Sequence, residues 1–303
     1  MRKLILGSRG SKLAMAQSNW VASQFSSDIE IKKISTRGDK IHDVALAKLE
    51  GKGFFTKEID DALLSSEIDL AVHSFKDVPT DLPEGLMIAA VPARESPKDA
   101  LVGAYPSLEE LPLNAKVGTA SIRRRVEVLK ARPDAQVQDL RGNLDTRMRK
   151  IKEGEYDAII VAEAGLKRLG YSDYNPLDPQ TFIPAAGQGA LAITARSDDE
   201  EVLNLLTKME DPQTRSSVEC ERLFLSTLES GCQVPAGVYT SIEEKQNNFT
   251  ILGFISSFDG KQFISNEDTG PMEDAKDITL KVTNNLLDLG GREILQKIRE
   301  EDI

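Results

Sequence analysis

Three kinds of side chain in this sequence could do chemistry together. Cys232 lies in the turn-rich stretch of residues 230–235, where a thiol packs poorly into a core but can be reached by a ligand. Asp77 lies far upstream, and a run of arginines extends from Arg123 to Arg149. One sulfur atom, one carboxylate and many guanidinium groups predict covalent chemistry on a small molecule that carries several negative charges.

The basic residues are concentrated in one part of an acidic chain. The 303 residues have a formal net charge of −11, whereas residues 116–150 contain ten Lys/Arg and four Asp/Glu, a net charge of +6. Residues 197–303 contain ten Lys/Arg and twenty-two Asp/Glu, a net charge of −12. Such a block predicts a local anion site. Nucleic-acid-binding proteins are more often basic throughout, and the aromatic content here is 5%, so we expect no nucleic-acid partner.

Two turns inside the basic block have the same design. Residues 118–125 and residues 140–147 each read as the end of a strand, a short polar turn and the start of a helix rich in arginine. The free N–H groups and positive dipole of a helix N-terminus favour an anion, and arginine forks suit carboxylates. The alternative is a pair of capped helices with solvated basic faces, on which Arg123 and Arg124 cannot share one side with Arg125.

The stretch that contains Asp77 permits two interpretations. His73, Ser74 and Asp77 are the residue types of a hydrolase triad, but residues this close in sequence cannot adopt its geometry. Asp77 could simply pair with Lys76 at the surface. Alternatively, its carboxylate could stabilise a developing cation, which at 4 Å and an effective dielectric near 20 is worth about 4 kcal/mol.

The elements that position these residues follow an α/β pattern, which predicts parallel strands with helices between them. We expect a first domain at 1–92 and 190–208, a second at 97–185, and an α+β third at 211–303. The predicted strands cover residues 4–7, 29–35, 69–73, 86–91, 116–118, 136–140, 158–162, 190–195, 238–242, 249–254 and 263–265. The predicted helices cover about 11–25, one around Ile59, two beginning at 121 and 143, and 212–230 and 272–300.

Several candidate residues follow directly after predicted parallel strands, where open α/β sheets bind ligands. They are Arg9, Ser74, Lys76, Asp77, Thr119 and Arg141. Their placement predicts a cleft between the first two α/β units.

The cysteine and histidine content limits which metal sites and disulfides the chain could form. Two cysteines and two histidines without a CxxC pair predict neither a structural zinc site nor a disulfide framework. No apolar run approaches a membrane span, and no secretory signal is visible, so we expect a cytoplasmic protein with no membrane partner. A disulfide between Cys220 and Cys232 is the competing interpretation.

Taken together, the motifs resemble those of the hydroxymethylbilane synthase (porphobilinogen deaminase) family over nearly the whole chain. The matching stretches are residues 7–14, 51–58, 73–79, 118–124, 141–147, 164–168, 184–189 and 231–235. The departures are small: Ala120, Ile122 and Ser230 replace residues that are often Ser, Leu and Gly in the family. The chain after Pro235 matches more loosely.

This resemblance implies a fold of two α/β domains like those of periplasmic binding proteins, plus a C-terminal α+β domain. It implies a cytoplasmic, monomeric transferase that condenses four porphobilinogen molecules into hydroxymethylbilane and releases ammonia, with no metal. Asp77 would be the catalytic carboxylate, and Cys232 would carry a dipyrromethane cofactor through a thioether.

The same resemblance assigns binding residues. The implied cofactor-binding residues are Lys76, Ser74, Thr119, Ser121, Arg123, Arg124, Arg141, Arg147 and Gly189. The implied substrate-binding residues are Arg9, Ser11, Gln17, Arg147 and Arg168. Each pyrrole adds two carboxylates, so the net charge of +6 in the basic block suits such a ligand.

Two alternatives belong to other classes of protein. A solute-binding or sensor module would use the two α/β units but has no role for Cys232 or a third unit. An RNA-binding protein would use the arginines and would show affinity for single strands that falls steeply with salt.

Overall fold

The computed structural model describes residues 2–25, 28–36, 56–228 and 234–301. The strands are β1 Leu4–Ser8, β2 Ile29–Lys33, β3 Leu70–Ser74, β4 Leu86–Ala90, β5 Asp99–Gly103, β6 Lys116–Gly118, β7 Gln136–Gln138, β8 Ala158–Ala162, β9 Asn175–Pro176, β10 Leu191–Arg196, β11 Ala236–Glu243, β12 Asn248–Ser256 and β13 Phe263–Pro271. The α-helices are α1 Lys12–Ser23, α2 Lys57–Leu64, α3 Ile122–Ala131, α4 Leu144–Lys152, α5 Glu163–Arg168, α6 Glu200–Leu206, α7 Pro212–Thr227, α8 Ala275–Leu286 and α9 Arg292–Glu301.

The chain divides into two compact units. Unit 1 consists of Met1–Glu95, Lys167–Gly170 and Gly189–Arg215, and unit 2 of Ser96–Leu166, Tyr171–Gln188 and Ser216–Ile303. Unit 2 therefore holds both the second α/β sheet and the C-terminal sheet, and the division into three domains stays a prediction. Among the helices in the described ranges, none combines the length and the hydropathy that crossing a lipid bilayer requires.

Unit 1 is built on a mixed sheet with the strand order β2-β1-β3-β10-β4. β1 runs parallel to β2 and β3, as predicted, but β10 runs antiparallel to both β3 and β4. The prediction of an all-parallel sheet was wrong here, because Leu191 at the start of β10 pairs with Ser74 at the end of β3. The chain therefore enters β10 at the same edge of the sheet at which it leaves β3.

Both faces of the sheet are buried at its inner strands β1, β3 and β10, which explains their short, nearly continuous apolar sequences. On one face Leu6, Leu70 and Ile193 pack with residues of α1 and α6. On the other face Ile59 and Leu63 of α2 pack against the sheet. These are the apolar positions whose helical spacing predicts α2.

The α/β sheet of unit 2 has the strand order β7-β6-β8-β5-β9. β6 runs parallel to β7 and β8, whereas β5 is antiparallel to β8. β5 was not predicted, because the boundary between the first two domains was expected at residues 92–97, just before this strand. The apolar residues of β5 alternate between two cores: Leu101 joins one and Val102 the other.

The C-terminal part of unit 2 is α+β, as predicted. β11, β12 and β13 form an antiparallel sheet, and residues of α7, α8 and α9 share its core. The predicted single helix over 272–300 is instead interrupted at 287–291, because Gly290 adopts a φ of +118° that a helix does not allow. The fold class, mixed α/β with a C-terminal α+β part, is thereby confirmed.

Candidate functional site

The first group of site residues lies at one edge of the unit 1 sheet. Because β1 and β3 are parallel neighbours, the chain leaves both strands at the same edge. Arg9 follows β1, and Ser74 ends β3, where a short 3-10 turn over Phe75–Asp77 begins. Arg9, Ser74 and Asp77 line one pocket, and Asp77 itself is exposed. A half-buried guanidinium and an accessible carboxylate therefore face the same space.

Helix α1 supplies two further polar groups to this pocket. Ser11 caps the helix and accepts a hydrogen bond from the N–H of Ala14 at 3.3 Å. Gln17, one and a half turns later and buried, donates its Nε2 to the hydroxyl of Ser74 at 3.0 Å. The amide thus holds the Ser74 side chain in place, and both side chains line the pocket.

His73 lines the same pocket but does not supply a proton. Its ring is buried and its Nε2 lies 3.2 Å from the hydroxyl of Thr194. Burial, assisted by the positive charge of Arg9, lowers the pKa of His73 to about 4. The imidazole is therefore neutral near pH 7, which leaves Asp77 as the accessible acid of this group.

Arg168 and Gly189 are joined by a hydrogen bond within unit 1. Arg168 Nη2 donates to the Gly189 carbonyl at 2.7 Å, and burial lowers the pKa of Arg168. Gly189 has a φ of +88°, which favours glycine at this turn. The backbone before β10 therefore orients one of the predicted substrate-binding guanidinium groups.

The second group of site residues lies in unit 2, at the edge where β6 and β7 end. Thr119 follows β6 and is buried, and its hydroxyl accepts from the N–H of Ser121 at 3.2 Å. Ser121 caps α3 by accepting from the N–H of Arg124. The predicted strand, turn and capped helix are all present. Arg125, as expected, points away and pairs with Asp139 at the surface at 3.3 Å.

The second turn has the same construction and is the neighbour of the first, since β6 and β7 are parallel and paired. Asn143 caps α4 by accepting from the N–H of Thr146 at 3.1 Å. Gly142, with a φ of +105°, accepts from Arg147 Nε at 2.9 Å. Arg141 is exposed, with its guanidinium 3.9 Å from Asp139.

Arg147 has an unusual electrostatic environment. Burial, with the nearby charge of Arg124, lowers the pKa of Arg147 to about 10. Across the described ranges, no carboxylate forms a salt bridge with this guanidinium, and its recorded hydrogen bond goes to a carbonyl. A partly buried cation without a carboxylate partner among the described residues is an environment that an anionic ligand would stabilise.

Arg123 and Arg124 are deeply buried and belong to a network that the sequence analysis did not anticipate. Arg123 donates from Nη2 to Asp99 and from Nη1 to Glu127, each at 2.7 Å. Arg124 donates from Nε to the other oxygen of Asp99 at 2.9 Å and from Nη2 to Gln188 at 3.2 Å. Direct contact of these two arginines with a ligand stays a prediction.

Burial and the neighbouring charges shift the pKa values of the two acids in this network. Burial alone would raise the pKa of Asp99, but the two guanidinium groups hold it below its usual value. Burial raises the pKa of Glu127 to about 8, against the opposing effect of Arg123. Glu127 also accepts from the backbone N–H of Ile183. Of the described buried polar atoms, Arg123 Nε is one that has no hydrogen-bond partner.

Sequence reasoning could have found part of this network. Glu127 lies four residues after Arg123, the spacing of a helical ion pair. Asp99 is an acid at the head of an apolar run, which is a weak signal for a buried partner. Gln188 lies in the stretch of residues 184–189 that carries part of the family resemblance, but no role was predicted for its side chain.

Other predicted site residues have different outcomes. Cys232 lies outside the described residues, as do residues 51–55 of the glycine-rich motif that precedes α2. Lys76 is exposed in the turn next to Asp77. Cys220, the other cysteine, is a free thiol, 2% exposed in the C-terminal core, and burial raises its pKa. It is a core residue of α7.

Comparisons with known proteins place these features in one family. A family model described as porphobilinogen deaminase, dipyromethane cofactor binding domain, matches residues 4–204, and its C-terminal domain model matches residues 216–288. Porphobilinogen deaminase of Maridesulfovibrio salexigens is 46% identical over 99% of this chain and 100% of its own length. That of Brevibacillus brevis is 46% identical over 100% of this chain and 99% of its own.

Solved structures give a weaker similarity. The periplasmic aliphatic sulphonate binding protein of Escherichia coli is 13% identical, covers 76% of this chain and 71% of its own, and has a TM-score of 0.39. A likeness at this level supports no conclusion about this chain. The family model and the sequence identities show the family without the solved structures: the chain belongs to the porphobilinogen deaminase family of transferases, whose N-terminal region binds a dipyrromethane cofactor.

Proposed function

We propose that this protein is a hydroxymethylbilane synthase, which condenses four porphobilinogen molecules stepwise and releases one ammonia for each. The observation that carries the proposal is the 46% identity to porphobilinogen deaminases over essentially the full length of both chains. The two groups of polar residues support it, since one offers an accessible carboxylate and the other a concentration of guanidinium groups.

The residues of unit 2 fit a dipyrromethane, whose pyrrole rings carry carboxylate side groups. Arg147 is a partly buried cation without a carboxylate partner among the described residues. Arg141, six residues earlier in the same turn and helix, is exposed. An added carboxylate would offset the cost of burying Arg147, and charge-assisted bonds of this kind are worth about 1.5–3 kcal/mol each. Thr119 and Ser121 would add hydroxyl contacts, and Arg123 and Arg124 complete the proposed set in this unit. Ser74, Lys76 and Gly189, which belong to unit 1, are proposed for the cofactor from the family resemblance alone.

We infer that Cys232 is the attachment point of this cofactor through a thioether. When bound, the dipyrromethane supplies the pyrrole carbon from which the product is extended. Cys220 is the other cysteine of the chain and is a buried core residue, so it is a poor candidate for attachment.

Asp77 is the proposed catalytic residue. When porphobilinogen loses ammonia, the bond between its aminomethyl carbon and nitrogen breaks, the electron pair leaves with nitrogen, and the pyrrole becomes cationic. A carboxylate 4 Å away stabilises such a cation by about 4 kcal/mol at an effective dielectric near 20. If realised only in the transition state, that is roughly a thousandfold in rate. The neutral His73 does not compete for this role.

The remaining polar residues are proposed to bind the incoming substrate. Arg9, Ser11 and Gln17 line the same pocket as Asp77 and offer a guanidinium, a hydroxyl and an amide to acetate and propionate groups. The family resemblance also assigns Arg147 and Arg168 to the substrate, and burial lowers the pKa of both guanidinium groups. We further propose, from the family resemblance, that the protein is a cytoplasmic monomer.

The test combines an activity assay with intact-mass measurement. Purified protein is given porphobilinogen, and the product is cyclised, oxidised and quantified as porphyrin, while the mass of the protein is recorded before and during turnover. We expect a protein heavier than its polypeptide by two linked pyrrole units, and further pyrrole units added one at a time. A protein with the bare polypeptide mass and no product would instead favour a non-enzymatic anion-binding module.

Two matched pairs of variants assign the roles. Cys232→Ser should lack the added mass, whereas Cys220→Ser should keep it. Asp77→Asn should fold and lose about a thousandfold in turnover, whereas Asp81→Asn, an exposed acid further along the same loop, should not. Normal turnover by Asp77→Asn would remove this carboxylate from the mechanism.

A further inference from the structure

Asp99 holds two guanidinium groups with one carboxylate. It is the first residue of β5, it is fully buried, and it uses both of its oxygens. Oδ2 accepts from Arg123 Nη2 at 2.7 Å, and Oδ1 accepts from Arg124 Nε at 2.9 Å. The two arginines are consecutive in α3, so their side chains leave the helix about 100° apart. Because both guanidinium groups bind the same Asp99 carboxylate, they lie next to each other although the two side chains leave the helix in different directions.

Gln188 completes this arrangement from the other side. Its Nε2 donates to Asp99 Oδ1 at 2.9 Å and to the carbonyl of Pro97 at 2.8 Å, while its Oε1 accepts from Arg124 Nη2 at 3.2 Å. The amide is fully buried. It therefore fixes the position of the carboxylate and of one guanidinium at the same time.

The backbone of Gln188 is itself anchored. The preceding residue, Gly187, has a φ of +69° and donates its N–H to Glu221 at 2.6 Å. Glu221 is fully buried in α7 and also accepts from the hydroxyl of Thr240 at 2.7 Å. The amide thus has little freedom to move, which is what a group that orients others requires.

We propose that Asp99 and Gln188 are positioning residues, which set the orientation of Arg123 and Arg124 and thereby the affinity of unit 2 for the carboxylate groups of its pyrrole ligands. The inference rests on the proposed function. Neither residue needs to contact the ligand. Arginine recognises carboxylates through a planar fork, so a rotated guanidinium loses affinity even when its charge is retained.

The chain contains a matched control for the alternative that such a network only stabilises the fold. In unit 1, Asp199 also bridges two guanidinium groups, accepting from Arg2 Nη2 at 2.5 Å and from Arg196 Nη2 at 2.7 Å. It also caps α6. Asp199→Asn therefore removes the same kind of bridge at a place to which no ligand-binding role is assigned.

The experiment compares Asp99→Asn with Asp199→Asn in the full-length protein, by thermal unfolding, by intact mass for cofactor content, and by kcat and KM for porphobilinogen. Both variants should unfold at lower temperature than wild type. The fraction of Asp99→Asn chains that carry cofactor should fall to about half of the wild-type fraction or less, because guanidinium groups that have lost their shared partner bind carboxylates less tightly. Asp199→Asn should carry as much cofactor as wild type, with unchanged kcat and KM.

A second variant covers the case in which Asp99→Asn does not fold. Gln188→Met keeps the charge balance and nearly the volume. It removes the acceptor for Arg124 and the donor to Asp99 and to the Pro97 carbonyl. It should lower the fraction of chains that carry cofactor in the intact-mass spectrum and leave kcat per loaded chain within about twofold, because Arg124 and Asp99 each lose a charge-assisted hydrogen bond that fixes their position.

The outcomes separate the two proposals. Wild-type cofactor content in folded Asp99→Asn, or in Gln188→Met, would overturn the positioning role while the wild-type protein still turned over porphobilinogen. A wild-type protein without turnover would overturn the proposed function, and the positioning role with it.

Discussion

Gly142 offers a sharp test of how the second arginine turn is built. It lies between Arg141 and the helix cap Asn143, has a φ of +105°, and its carbonyl accepts from Arg147 Nε at 2.9 Å. The perturbation is Gly142→Ala, which adds one methyl group to a backbone conformation that residues other than glycine rarely adopt.

Two contributions set the expected loss in the free energy of unfolding of Gly142→Ala. Backbone strain at a positive φ costs about 1–3 kcal/mol for an alanine. In addition, the new Cβ would lie 2.7 Å from Thr146 Cγ2 and 2.8 Å from Thr146 Cβ, so the first turn of α4 must shift. Overpacking of this kind costs about 1–3 kcal/mol more. We therefore expect a loss of about 2–6 kcal/mol in the free energy of unfolding.

Gly154→Ala is the matched control. Gly154 has a φ of +75°, but a Cβ there would meet no atom within 4 Å, so only the strain contribution applies. The assay is thermal unfolding of both variants beside wild type, followed by cofactor content and KM. Gly142→Ala should lose more stability than Gly154→Ala and should raise KM about tenfold, because the shifted turn carries Arg141 and Arg147. Equal stability losses and an unchanged KM in both variants would refute this account of the turn.

Two further predictions concern single ionisable groups. Arg147→Met should leave the protein at least as stable as wild type, since it removes a desolvated cation beside Arg124, yet should reduce cofactor content about tenfold in the intact-mass spectrum; a destabilised variant with normal content would contradict this. His73 has a pKa of about 4 in the folded protein against 6.5 unfolded, so its contribution to stability is complete above pH 6.5 and is lost as the pH falls towards 4. At pH 5 the loss is about 2 kcal/mol, and urea titrations of His73→Gln at pH 7 and pH 5 should show a correspondingly smaller decrease than wild type.

Much of the local structure could be predicted because its causes are local. The strand, turn and capped helix at Thr119–Ser121 and at Gly142–Asn143 follow from glycine, a capping side chain and the apolar residues on either side. The same applies to α2, whose buried face repeats at helical spacing. The family resemblance extended this to candidate roles, of which those of Cys232 and Asp77 stay predictions.

Strand direction and the buried charges could not be predicted in this way. A short apolar run such as β5 or β10 reads identically whether it is parallel or antiparallel, because direction depends on where the chain enters the sheet. The expectation of parallel strands in the α/β units was therefore wrong for β10, and β5 was not predicted at all.

The sequence by itself determined the family, the α/β pattern and which residues could bind anions or react, because these depend on residue type and on spacing over a few positions. Only the tertiary structure decided that Arg123 and Arg124 are buried against Asp99, 24 and 25 residues away, and that Gln188 joins them from 64 residues beyond Arg124. The physical reason is that a charge in the core must be matched in three dimensions, and the chain can bring its partner from any distance in sequence.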